Sequence, residues 1–168
     1  MIKDGHLRIA VAEMWYECWK ESAWNELEQV PKNTVLPLKR TLVTHTRSVV
    51  QLAIKSAEVI SSFHGIKFDQ DVLIAAALLH DVSKLYENDP APDGGAAKTS
   101  PQSRLIQHGA YGAHKAWERH LSVEVIHNIL AHTHASTVRP ATQEATLVHY
   151  VYYPAPTCLL FNDPTPTL

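Results

Sequence analysis

The sequence predicts an all-α protein. Apolar residues recur at helical spacing in several long segments, no stretch alternates cleanly between polar and apolar, and no internal repeat is present. At 168 residues the chain suits one domain with its own core. The expected architecture is a bundle of about five to six helices, interrupted by a long loop at 87–103.

The first expected element spans 7–30, "LRIAVAEMWYECWKESAWNELEQV", with Val11, Trp15, Cys18, Trp19 and Ser22 at helical spacing. That pattern describes an amphipathic helix with an aromatic face. Trp15 and Trp19 are expected to pack onto the core, with a homodimer contact as the second reading. "PKNTVLP" (31–37) then breaks the chain with a proline at each end. A second helix is expected over 41–63, its buried stripe being Val49, Val50, Ala53, Ile54, Ala57 and Ile60. His45, four residues before Val49, falls on the same face.

A third helix is expected at about 71–85, apolar on all sides from Val72 to Leu79 and so suited to the middle of the domain. The loop "ENDPAPDGGAAKTSPQS" (87–103) shows no periodicity. A fourth helix runs from about 104 or 108 to 120, with Gly109 and Gly112 near its start. Ser122 can cap a fifth helix to about 133, and Thr142 a sixth through "QEATLVHYVYY". The core is thus expected at about 40–153. The four prolines of 154–168 rule out a long helix in that tail.

Composition narrows the function classes. Apolar residues make up 45% and charged residues 19%, an ordinary globular balance. Fifteen Lys and Arg stand against seventeen Asp and Glu, with no basic run, so a nucleic-acid footprint is not expected. No segment approaches a membrane span. The N-terminus lacks a signal-peptide pattern, and Cys18 and Cys158 lie far apart without metal or redox spacing. A cytoplasmic protein with reduced thiols is the resulting expectation. The unusual count is histidine, eleven in all.

"ALLHDVSKL" (77–85) places His80 beside Asp81 at the end of an apolar helix, with Lys84 one turn on. Leu73, Ala76, Ala77, His80 and Lys84 share one helical face, and Asp81 sits next to it. A neutral imidazole and a carboxylate are good ligands for a divalent transition metal. Adjacent helical residues diverge by about 100°, so they need a local distortion to share one ion, or ions on either side of Asp81. His45, His108 and His132 each point inward from a different element. Taken singly, each fits a core histidine; the ordered set is what suggests a centre.

The segments "THTRSVV", "ALLHDVSKL", "QHGAYGAHKA" and "NILAHT" together resemble the HD-domain superfamily of metal-dependent phosphohydrolases, over roughly residues 40–153. The resemblance is to its dinuclear subset with four histidines. It implies a helical bundle with metal between the helices. His45, His80 and Asp81 would correspond to ligands of one ion, and Asp81 would bridge to a second held by His108 and His132. Lys84 matches the lysine of the family's HD-x-x-K form, which contacts an anionic substrate group.

One position departs: the family's final aspartate ligand is replaced by Tyr152. Tyr152 could pack against Ala145 and Val148, ligate as a phenolate, or leave Asp163 to reach in from the tail. Asp81, His108 and His132 remain a complete set, with the composition of a non-haem iron triad. The expected cofactor is therefore one or two divalent ions, iron or manganese favoured, with zinc, nickel, cobalt or magnesium possible. His134 and His149 are expected near the site without ligating. His114, Lys115 and Arg119 suit a solvated face, and His6, His64 and His120 carry no signal.

The functional expectation is a metal-dependent phosphohydrolase acting on a small phosphorylated metabolite or nucleotide, with Asp81 and Lys84 as its catalytic side chains. A mixed-valence di-iron oxygenase of the same superfamily is one alternative. A degenerate HD domain serving as a ligand-binding or interaction module is another.

Overall fold

The computed structural model describes residues 1–34 and 40–153. Expectations that involved Pro37, Cys158, Asp163 and the 154–168 tail lie outside the described residues. The fold is all-α: the described residues form six helices of nine residues or more, one single-turn α-helix, two 3₁₀ turns and a two-stranded ribbon.

Helix α1 spans Gly5–Glu21, and the Asp4 side chain accepts from the amides of His6 and Leu7 at its start. It ends well short of residue 30. The Ser22 hydroxyl donates to the Trp19 carbonyl and accepts from the Trp24 amide, diverting the chain before the 3₁₀ turn Leu27–Gln29. Trp15 and Trp19 pack against the core cluster, which includes the fully buried Met14.

Helix α2, Leu42–His64, is capped by Thr41 and stopped by Gly65 at φ +67°. It buries His45, Val49, Ala53 and Ala57, while Val50, Ile54 and Ile60 flank that stripe half-buried. Helix α3, Gln70–Leu79, is capped by Asp69. It is the central element: Leu73, Ala76 and Ala77 join α2 in one apolar cluster, and Ile74, Ala75 and Leu79 join α1 in the other. An all-round apolar helix has to sit between two such clusters to bury both sides.

A short α4, Lys84–Glu87, leads into strands β1 (Asn88–Asp89) and β2 (Lys98–Thr99), which pair antiparallel. The 87–103 segment is therefore tied across its base, with the Ser100 amide donating to the Glu87 carbonyl at 2.7 Å. Strands of two residues cannot display alternation, which is why the sequence reads as plain loop.

Helices α5 (Ala110–Glu118), α6 (Val123–Ala131) and α7 (Gln143–Val151) complete the bundle, α6 and α7 capped by Ser122 and Thr142. The α7 core residues Leu147, Val148 and Val151 close the cluster built on α2 and α3. No helix among the described residues is long and apolar enough to cross a membrane.

Gly109 turns the chain into α5 at φ +86°, and a Cβ there would stand 2.8 Å from the Ile129 carbonyl oxygen. Gly109→Ala is expected to cost about 1–3 kcal/mol through left-handed strain and this clash. Urea unfolding of the two chains measures it; equal midpoints would refute the close approach.

Candidate metal centre

The centre begins where α3 stops. The apolar pattern predicts a helix running on to residue 85, yet His80–Ser83 form a tight turn. The Val82 amide donates to Leu79 O at 3.1 Å, and the Lys84 amide to Asp81 O at 2.9 Å. Such i→i+3 bonds narrow the coil relative to an α-helix. The Ser83 hydroxyl accepts from the Gly112 amide at 2.9 Å, and a Cβ on Gly112 would lie only 2.8 Å from Val82 Cγ1, so α5 presses directly on the turn. The result is the local distortion that two adjacent ligands require: His80 and Asp81 are both fully buried and face the same interior. Lys84 consequently starts a separate short helix.

The five side chains singled out in the sequence meet around the Asp81 carboxylate. Oδ2 lies 3.0 Å from His45 Nε2 and 3.4 Å from His80 Nε2, and those two nitrogens are 3.1 Å apart. Oδ1 lies 3.0 Å from His108 Nε2 and 3.5 Å from His132 Nε2, which are 3.0 Å from each other. Donors set about 2.1 Å from a common ion stand roughly 3.0 Å apart in octahedral and 3.4 Å apart in tetrahedral arrangement. Both groups, His45–His80–Asp81 and Asp81–His108–His132, have spacings that could hold a metal ion.

Hydrogen bonds on the far side of three of the four rings fix their tautomers; His45 Nδ1 has no partner among the described residues. His80 and His132 follow the last residues of α3 and α6, and their Nδ1–H groups donate back to Ala77 O and Ile129 O, both at 2.8 Å. Each thereby satisfies an orphan carbonyl at a helix end while turning Nε2 inward. His108 Nδ1–H donates to Glu87, 2.7 and 2.9 Å from its two oxygens. This carboxylate–imidazole pairing orients metal-ligating histidines generally. The neutral forms of His108 and His132 thus direct bare lone pairs at one another beside a carboxylate oxygen. Only a shared cation relieves that contact, a proton on His108 or a metal ion in its place.

Electrostatics suit the same role. Burial pushes His45 and His132 down to about 4, so both are neutral donors at pH 7. Burial would raise Asp81, but the Lys32 charge, His80 and the proximity of His108 and His132 hold it well below the usual carboxylate range. Burial lowers His108, and its hydrogen bonds to Asp81 and Glu87 more than reverse that, leaving it raised.

Two neighbours, Glu87 and Lys32, escaped sequence reasoning. Glu87 was counted as the first residue of a loop; it is buried, and it receives both His108 and the Lys84 ammonium, the latter at 2.8 Å. Its spacing from Lys84, three residues along a helix, was the available signal. Lys32, read only as part of a chain break, is buried with its Nζ 3.2 Å from Asp81 Oδ2. Tyr152 lies at the end of α7 with its ring edge-on to His45, His80 and His132, at centroid distances of 5.2, 5.7 and 5.3 Å. Its hydroxyl accepts from Lys32 at 2.6 Å. Burial and the Asp81 charge raise the Tyr152 pKa, which opposes a phenolate. His134 and His149 pair with each other at 2.9 Å, and neither is among the donors around Asp81.

A cleft of about 220 Å³ opens beside His108, lined by Asn33, Lys84, Glu87, Thr99 and Ser103 among others. Lys84 therefore faces solvent-accessible space next to the donors, within reach of anything bound there.

The HD domain model matches residues 42–151, from the first residue of α2 to the last of α7. Over 111 residues the chain is 33% identical to the dihydroneopterin 2',3'-cyclic phosphate phosphodiesterase of Methanocaldococcus jannaschii. That alignment takes in 65% of this chain but 43% of the relative, so the chain spans less than half of that relative's length. No solved structure matches the chain. By the extent of the family match, the chain belongs to the HD-domain family.

Proposed function

We propose that the chain is a metal-dependent phosphohydrolase of small metabolites, with cyclic phosphodiesters the first substrate class to test. The observation that carries the reading is the pair of inward lone pairs on His108 and His132 around Asp81 Oδ1, at the side of a cleft holding a lysine. Asp81, His108 and His132 would hold a divalent ion, with iron or manganese favoured by the mixed nitrogen and oxygen donors. When bound, such an ion supplies Lewis-acid polarisation of a phosphoryl oxygen and acidification of water.

The chain's own groups would do the rest. Lys84 supplies a positive charge for a non-bridging phosphoryl oxygen, an electrostatic contribution that grows as negative charge develops. Glu87 keeps that ammonium pointed along the cleft. Asn33, Thr99 and Ser103 offer neutral hydrogen-bonding groups, suited to the hydroxyls of a small ester. In the hydrolysis, a water oxygen bonds to phosphorus, one P–O ester bond breaks, and the departing oxygen takes up the proton that water releases. The phosphodiesterase activity named for the archaeal relative supports the diester class.

The test is hydrolysis of 2',3'-cyclic mononucleotides and bis(p-nitrophenyl) phosphate with added manganese, ferrous iron or cobalt. Turnover that depends on metal and stops with chelator is expected; no turnover of any phosphoester under these conditions would overturn the proposal. Lys84→Met should lower kcat/KM by roughly tenfold or more, since a hydrogen bond to a charged group is worth about 1.5–3 kcal/mol. An unchanged kcat/KM would remove Lys84 from the substrate site.

A further inference from the structure

The two halves of the centre differ in what already fills them. Among the described residues Oδ1 of Asp81 meets only His108 and His132, whereas Oδ2 meets His45, His80 and, at 3.2 Å, the ammonium of Lys32. Lys32 is 4% exposed, and its Nζ lies 2.6 Å from the Tyr152 hydroxyl and 4.7 Å from the centre of that ring. A buried ammonium persists only where fixed partners compensate its lost hydration. The backbone around it is pinned as well. Lys32 N–H donates to Arg40 O at 2.8 Å, Leu42 N–H to Val30 O at 2.8 Å, and Asn88 Nδ2 to Pro31 O at 3.0 Å. Pairing on both sides of the residue holds the side chain's origin in place.

We infer that Lys32, braced by Tyr152, stands in for a metal ion at the His45–His80–Asp81 group, leaving one ion per chain, on Asp81, His108 and His132. This rests on the metal-centre reading above. An ammonium and a divalent ion would compete for the same carboxylate oxygen, and two like charges inside a low-dielectric interior repel strongly. The hydrogen-bond pattern points the same way. His80 commits Nδ1–H to Ala77 O, so its Nε2 accepts; His45 can donate Nε2–H to it or to Asp81, at 3.1 and 3.0 Å. That half has an ammonium at Oδ2 and a ring proton to share, although His45 Nδ1 stays buried without a partner among the described residues. The His108–His132 half has no such ring proton, because both rings spend Nδ1–H on outward partners. Lys32 is then a positioning residue: it holds Oδ2 and leaves Oδ1 to the ion.

The test is manganese content per chain after saturation and gel filtration, read with low-temperature EPR. Wild type should retain one manganese per chain with the six-line signal of an isolated ion. Lys32→Met combined with Tyr152→Asp removes the ammonium and adds an acid, and should raise the content to two with an exchange-coupled signal. His45→Ala should stay at one, and His132→Ala should lose its ion. Two coupled ions in wild type would overturn the inference while leaving the metal centre standing. So would His45→Ala losing its ion, or the double variant folding yet remaining at one. No manganese on any of these proteins would overturn the metal centre itself, and this inference with it. Should the double variant fail to fold, wild type and His45→Ala decide the matter.

Discussion

Asp81→Asn is expected to abolish metal retention and hydrolysis together, and to destabilise the metal-free chain. The substitution keeps the size of the side chain and removes its charge. Asp81 is the carboxylate within 3.5 Å of all four imidazoles, and no other carboxylate joins either candidate group among the described residues. Loss of a group that merely orients a ligand costs ~10–100-fold in affinity or activity, so loss of the shared ligand should cost at least ~100-fold. Stability should fall for a separate reason. With metal removed, Asp81 is the anion that compensates Lys32, whose side chain is 5% exposed. Breaking a buried pair by removing one partner costs about 3–5 kcal/mol, because the other charge stays buried. Lys32→Met with Asp81→Asn should therefore be more stable than Asp81→Asn alone, measured by urea unfolding in chelator. Full metal content in Asp81→Asn would show that the imidazoles gather for some other reason.

The starts of the helices were legible because caps are local. Ser122 and Thr142 stand where side-chain oxygens are expected to accept the first free amides, and they do so from Val125 and Ala145, as Thr41 does from Thr44. The end of α3 was not legible, because Val82 and Leu85 continue the apolar pattern straight through the break. What breaks the helix is tertiary: Ser83 is claimed by the Gly112 amide, twenty-nine residues on. The donors could be read for the opposite reason, since histidines and an aspartate inside apolar stripes contradict their surroundings locally. Lys32 contradicts nothing local. It lies in a polar break between prolines, lysine is rarely buried, and its compensating partner Tyr152 is 120 residues away. Its place could be found only by pairing distant elements, which neither periodicity nor capping reports.

Glu87→Ala is expected to weaken the metal site and the substrate site by different amounts. Glu87 accepts Nδ1–H of His108 through both oxygens and holds Lys84 through Oε2. Burial pushes its pKa up, but the hydrogen bond and charge of His108 together with Lys84 bring it down to about 2, so it is ionised throughout the neutral range. A charged acceptor behind the ring makes the opposite nitrogen a stronger donor to metal and stops the ring from turning. Removing it should reduce metal affinity by ~10–100-fold, read by competition with a fluorescent chelator. Glu87→Gln keeps an acceptor but no charge, and should fall between wild type and alanine. At saturating metal the alanine variant should still show a raised KM, because Lys84 has lost the partner that aims it. If affinity for metal were unchanged while KM rose, Glu87 would serve the lysine alone, and His108 would owe its orientation to Asp81 rather than to the carboxylate behind it.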